Sequence, residues 1–124
     1  MTRSEGLPFI DLLGIELTKM SDGRAQGYLE MREDLSWNTD ELMAHSGVTF
    51  TLAEVTGAAA VVSVNDPPVF TVDMDVKFLN VGYGDLYSEA EVVRDGDDIS
   101  IVQIDIVDEN QSNVINATAV LKLT

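Results

Sequence analysis

Between Ala44 and Val64 the chain reads AHSGVTFTLAEVTGAAAVVSV, a stretch with one ionisable carboxylate, Glu54, among apolar and small side chains. Val48, Leu52, Val55, Ala59 and Val62 recur at helical spacing, which predicts one long helix that is apolar on nearly every side. Such a helix has to be central, with the rest of the chain wrapped round it. A glycine inside a helix costs about 1 kcal/mol relative to alanine, so Gly57 predicts that another backbone or a ligand comes close at that point.

Glu54 is the chemically informative residue of this segment. Its helical neighbours Phe50, Gly57, Ala58 and Val61 cannot pair with it. A carboxylate in apolar surroundings is costly to keep charged unless it is paired, hydrated or used, and use as a general base or a nucleophile is one resolution. The other is a structural glutamate held by an arginine or by backbone amides from elsewhere in the fold.

A chain of 124 residues is long enough for one domain with a sizeable core, and no linker or repeat divides it, so residues 1–124 are read as a single unit. The absence of cysteine excludes disulfides and thiolate chemistry, and with one histidine, His45, a zinc site is implausible, so neither metal nor cofactor is expected. The net charge of −15, from 22 acids against 7 bases, argues against nucleic acid and against an anionic membrane as partners. The acids fall mostly in turns and at alternate strand positions, as on a solvated surface. A sharper reading is a halophile's salty cytosol, because at 1 M salt the Debye length is roughly 3 Å and the self-repulsion of so acidic a protein is screened. MTRSEGLPFIDLL lacks the continuous apolar stretch of a signal peptide, and a soluble, cytoplasmic protein is expected.

In chain order, Pro8 to Leu13 reads as a short helical turn begun by proline, stopped by Gly14, and suited to act as a lid. Ile15 to Met20 and Arg24 to Arg32 read as strands of a hairpin turned by Ser21-Asp22-Gly23. A polar connection from Glu33 to Glu41 leads to the helix, with His45 or Ser46 at the N-cap position and Gly47 allowing close backbone approach. Asn65-Asp66-Pro67-Pro68 ends the helix. From there the period is 2, with Phe70, Val72, Met74, Val76 and Phe78 alternating against Thr71, Asp73, Asp75 and Lys77. Turns at 82–85, 95–98 and 109–112 then separate three long strands, Leu86 to Arg94, Ile99 to Val107 and Asn113 to Leu123. Two strands, one helix and four strands make an α+β plan in which an antiparallel sheet curls around a single long helix.

These residues resemble the hotdog fold, and within it the thioesterases of the phenylacetate-degradation and 4-hydroxybenzoyl-CoA types. The resemblance covers nearly the whole chain. Its most specific part is a His-Gly-Gly helix start followed, nine residues after the His, by an acid in Leu-Ala-Asp or Leu-Ala-Glu; here His45-Ser46-Gly47 and Leu52-Ala53-Glu54 keep the spacing. TVDMDVKFLN and GDLYSEAEVV match the pattern after the helix.

The resemblance implies an acyl-CoA or acyl-carrier thioesterase. Glu54 would be the base or nucleophile, the Ser46 N–H would hold the oxyanion, and His45 and Gly47 would complete the helix start. Free N–H groups and the positive end of the helix dipole at residues 46 to 48 suit that role. Two helical turns put Glu54 about 11 Å from those groups, so the carboxylate would have to meet them from a facing subunit, giving a homodimer with two shared sites or a dimer of dimers.

Substrate contacts carried across by position are Asn38 or Thr39, Phe50, Ala58 and Thr71, although Thr71 and Asp73 lie on the polar side of their strand, where solvent is the simpler partner. The sequence departs from the family pattern at Ser46, which replaces the first glycine, and at Ala58, where several relatives carry Ser or Thr. His45 would either touch the thioester or cap the helix. Arg24, Arg32, Lys77 and Arg94 are the bases in reach of a coenzyme's phosphates. Two alternatives stand beside hydrolysis: a non-catalytic acyl-binding hotdog module, favoured by Ala58, and a hydratase, for which Asp40 and His45 have the spacing but Leu42 and Met43 replace the expected Asn and Pro.

Overall fold

The helix that the 3.6-residue pattern calls for spans Ser46–Val62. The computed structural model describes residues 7–124 and the backbone of Thr2–Arg3. In chain order the elements are β1 (Thr2–Arg3), α1 (Pro8–Leu13), β2 (Ile15–Ser21), β3 (Arg24–Leu29), a 3-10 turn at Glu33–Leu35, α2 (Ser46–Val62), β4 (Val69–Phe78), β5 (Leu86–Asp95), β6 (Ile99–Asp108) and β7 (Asn113–Leu123). The strands form one sheet in the order β1-β2-β3-β5-β6-β7-β4, with every neighbouring pair antiparallel. The expected α+β plan is therefore present. The two-residue β1 is an addition to it, and β3 ends at Leu29 rather than running on to Arg32.

The core lies between the inner face of the sheet and α2. Leu52, Ala53, Ala60 and Val61 of the helix are wholly inaccessible, as are Leu29, Leu86, Ile104, Ile106 and Leu121 of the sheet. The close approach anticipated at Gly57 is made by side chains of β6 rather than by a backbone or a ligand. A methyl group there would stand 3.1 Å from Ile104 Cδ1 and 3.3 Å from Val102 Cγ1, closer than most carbon contacts, so those side chains would have to shift by a few tenths of an ångström.

The expectation that α2 is enclosed on nearly every side is corrected by the structure. Gly47 and Phe50 are exposed, and Thr51, Glu54, Ala58 and Val62 are half-buried, so a stripe at three- and four-residue spacing is left open. An all-round apolar composition carries no information about which side the sheet leaves uncovered.

Strand β4 departs from the simple alternation. Its pairing with β7 shifts register between Thr71 and Asp73, so Val72 is an extra residue in a β-bulge. Before the bulge Val69 and Thr71 point inward, and after it Met74 and Val76 do; Phe70 and Val72 face out. The bulge thus reverses the expected phase of the first half of the strand and turns Thr71 toward the helix.

No helix among the described residues is long and apolar enough to cross a membrane. Of the described acidic residues only Asp108 is buried. Three ion pairs, Arg24 with Glu91, Arg32 with Asp34 and Lys77 with Asp75, lie among the described residues, all on the surface where each contributes little. The surface charge of this −15 chain is therefore largely uncompensated within the fold. Raising KCl from about 0.1 M to about 2 M should increase the melting temperature by several degrees as the repulsion is screened, measured by circular dichroism. A flat profile would show that the self-repulsion carries no weight.

Candidate active site

The helix start is built by His45. It occupies the N-cap with φ −59° and ψ 142°, and its Nδ1 accepts the Gly47 N–H at 2.9 Å. Its carbonyl accepts from Val48 and Thr49. Two consequences follow. A Cβ at Gly47 would come within 3.1 Å of the imidazole Nδ1, so the glycine makes room for the cap. The capping also uses the N–H groups of residues 47 and 48, so among residues 46 to 48 only the Ser46 N–H has no acceptor among the described residues. That N–H is exposed at the positive end of a 17-residue helix, a placement suited to a developing negative charge.

The segment leading into this cap is fixed from outside the helix. Ala44 N–H donates to Gly82 O and Gly84 N–H to Leu42 O, both at 2.9 Å, while His45 N–H donates to Leu35 O. The 82–84 loop is in turn held by the buried Asp108, whose carboxylate accepts the N–H groups of Tyr83, Asn110 and Ser112 at 2.9 to 3.0 Å. Asp108 escaped the sequence reading because nothing separates it from the other acids in turns. A cavity of about 450 Å³ opens beside Ser46, with Trp37, His45, Thr49, Phe78 and Asn80 in its walls.

Glu54 lies two turns further along. Its Oε2 accepts a hydrogen bond from Thr71 Oγ1 at 2.8 Å. No cation pairs with it among the described residues. The carboxylate lines a different cleft, of about 250 Å³, beside Val55, Ala58 and Val62 and beneath Ile10 of α1. The structure thus groups Glu54, Thr71 and Ala58 in one place and His45, Ser46 and Gly47 in another. Among the described residues, neither of these two cavities contains both Glu54 and Ser46.

The remaining positions are placed as follows. Phe50 is exposed and lines a third cavity with His45 and Gly47. Asn38 uses its amide within its own loop, accepting from the N–H groups of Asp40 and Glu41 and approaching the Met43 sulfur. Thr39 is exposed and borders none of these cavities. Of the four bases considered for phosphate contacts, Arg24 and Lys77 are ion-paired, and Arg32 pairs with Asp34 and donates to the Leu12 and Leu13 carbonyls at the end of α1. Arg94 is exposed and forms no ion pair among the described residues.

One long helix wrapped by an antiparallel sheet defines the hotdog fold. Residues 43–115 match the thioesterase superfamily, and the chain belongs to that family. A protein of Halobacterium salinarum named as a candidate esterase is 31% identical over an alignment of 103 residues, with 79% of this chain and 68% of the relative covered. The PaaI protein of the Escherichia coli phenylacetic acid degradation operon superposes with a TM-score of 0.87 at 22% identity, covering 97% of this chain and 86% of that one. A hypothetical thioesterase of Streptococcus pneumoniae, solved with coenzyme A, superposes with a TM-score of 0.79 at 25% identity, covering 90% and 86%.

If the imidazole acts on the helix start through its cap, His45→Ala should lower the unfolding free energy by about 1 kcal/mol, and His45→Asn should restore most of it. Urea denaturation measures both; equal stability of all three proteins would remove the capping role.

Proposed function

We propose that this chain hydrolyses acyl-coenzyme A thioesters at sites shared between two copies, each pairing Glu54 of one copy with the Ser46 N–H of the other. The observation that carries the reading is the position of β4. Near its start Thr71 hydrogen-bonds Glu54; at its end Phe78 lines the cavity beside Ser46. The strand lies at the edge of the sheet, bonded only to β7, and Phe70, Val72 and Phe78 are exposed along it. A ten-residue edge with that much apolar surface invites a second strand. Antiparallel pairing with its own copy about a two-fold axis between Met74 and Asp75 would set Thr71 opposite Phe78 of the second copy. In such a pair Glu54 would face the other copy's helix start.

The chemistry follows from the groups so gathered. The thioester carbonyl oxygen accepts the Ser46 N–H, and Glu54 takes a proton from water as the oxygen adds to the carbonyl carbon. Collapse of the oxyanion breaks the C–S bond, and the proton held by Glu54 passes to the departing thiolate, leaving a carboxylic acid and a free thiol. Thr71 fixes Oε2, so Oε1 is the oxygen available to the water. Coenzyme A as the thiol is supported by family membership and by the Streptococcus pneumoniae relative solved with it.

A binding module without turnover is the second reading, favoured by the apolar Ala58 beside Glu54, where a hydroxyl could have oriented the water. Glu54→Gln keeps the volume and hydrogen-bonding shape but removes the base. It should lower kcat on acyl-CoA esters by about 10²- to 10⁴-fold in a thiol-release assay, with an unchanged melting temperature. Full turnover in this variant would refute the role of Glu54, and no thiol release from the unsubstituted protein would favour the binding module.

A further inference from the structure

The cleft that holds Glu54 has a composition unlike the rest of the surface. Nine of the described residues line it, and eight of these are apolar; Glu54 is the exception among them. Ala58, Ala59 and Val62 of α2 form its floor, Leu17 and Met20 of β2 one wall, and Ile10 of α1 another. From Glu54 the floor runs toward the C-terminal end of α2, away from Ser46, over about 12 Å of helix rise to Val62. Ile10 belongs to the short helix expected to act as a lid.

We infer that this cleft is the acyl subsite, that it selects an unsubstituted apolar acyl group, and that Ala58 determines how long a chain it admits. The inference rests on the proposed hydrolysis at Glu54 for its orientation. A carbonyl carbon within reach of Glu54 has two substituents. The sulfur carries a large polar coenzyme that eight apolar side chains cannot solvate, which leaves the cleft to the acyl carbon chain. A hydroxyl or charge at the far end of that chain would lose its water and find no partner beyond Glu54 among the described residues that line the cleft, so polar acyl groups are disfavoured. Ala58 stands one helical turn from Glu54 with the smallest side chain that still presents a Cβ to the cleft. A larger residue there fills the floor just beyond the reacting carbon.

The test uses acetyl-, hexanoyl- and 6-hydroxyhexanoyl-CoA with the full chain, in two assays. One is kcat/KM by thiol release; the other is affinity for the Glu54→Gln protein by isothermal titration calorimetry, which needs no turnover. Each buried methylene is worth about a fourfold gain, so hexanoyl-CoA should exceed acetyl-CoA by at least about tenfold in both assays. The terminal hydroxyl should remove about tenfold or more of that advantage. Ala58→Leu, which keeps a good helix former, should collapse the hexanoyl-to-acetyl ratio to near one. Ala58→Val is read the same way if the leucine variant does not fold. A hexanoyl-to-acetyl affinity ratio within twofold, a ratio unmoved by substitution at Ala58, or equal binding of the hydroxylated chain would each overturn the inference. Absence of thiol release together with the expected affinity ratios would refute hydrolysis and still support the subsite.

Discussion

A carboxylate on a helix whose other side chains are apolar or neutral needs a proton donor within reach, and here the donor is the Thr71 hydroxyl, 2.8 Å from Glu54 Oε2. Much of the site depends on that contact. It requires Thr71 to point inward, which requires the bulge at Val72, since regular alternation that keeps Met74 and Val76 inside would turn Thr71 outward. A neutral donor holds the carboxylate in place without neutralising it, as an arginine would. The group therefore stays oriented and chemically available, which suits a base better than a structural ion pair.

The second constraint acts at the start of α2. His45 and its carbonyl satisfy the N–H groups of residues 47 to 49 and leave that of Ser46. The loop at 82–84, itself held by the buried Asp108, fixes where that N–H stands. Both half-sites are thus supported by strands and turns distant in sequence. Edge strand β4 is the part of the sheet that borders both of them.

Much of this was legible in the sequence, for physical reasons. The 3.6-residue recurrence from Val48 to Val62 marks α2, and the change to period 2 after Pro68 marks the strands, because burial on one face imposes those periods. The spacing of His45 and Glu54 carries the family resemblance. What escaped the reading depends on pairing between distant segments. The alternation from Phe70 to Phe78 looks regular, and a bulge becomes visible only against β7, so the sequence offers Thr71 as a substrate contact or a solvent-facing side chain and does not reveal its bond to Glu54. Asp108 is one of 22 acids, most in turns or at alternate strand positions, and only the fold distinguishes it. The open stripe of α2 was hidden because alanine, glycine and valine look alike whether they face the sheet or the outside.

The proposed shared site pairs a carboxylate and an N–H from different copies of the chain, and complementation measures that pairing. Ser46→Pro deletes the N–H, together with the serine hydroxyl, at a tolerant position: it is the first helical residue, where proline is accepted, and His45 at φ −59° and ψ 142° has the backbone that precedes a proline. This protein and Glu54→Gln should each lose about 10²-fold or more in kcat. Refolded together in equal amounts, they should recover about a quarter of the unsubstituted rate, since half of the random pairs carry one intact site of two. Mixed pairs that form, as seen by native mass spectrometry, without any recovery of activity would contradict the shared site.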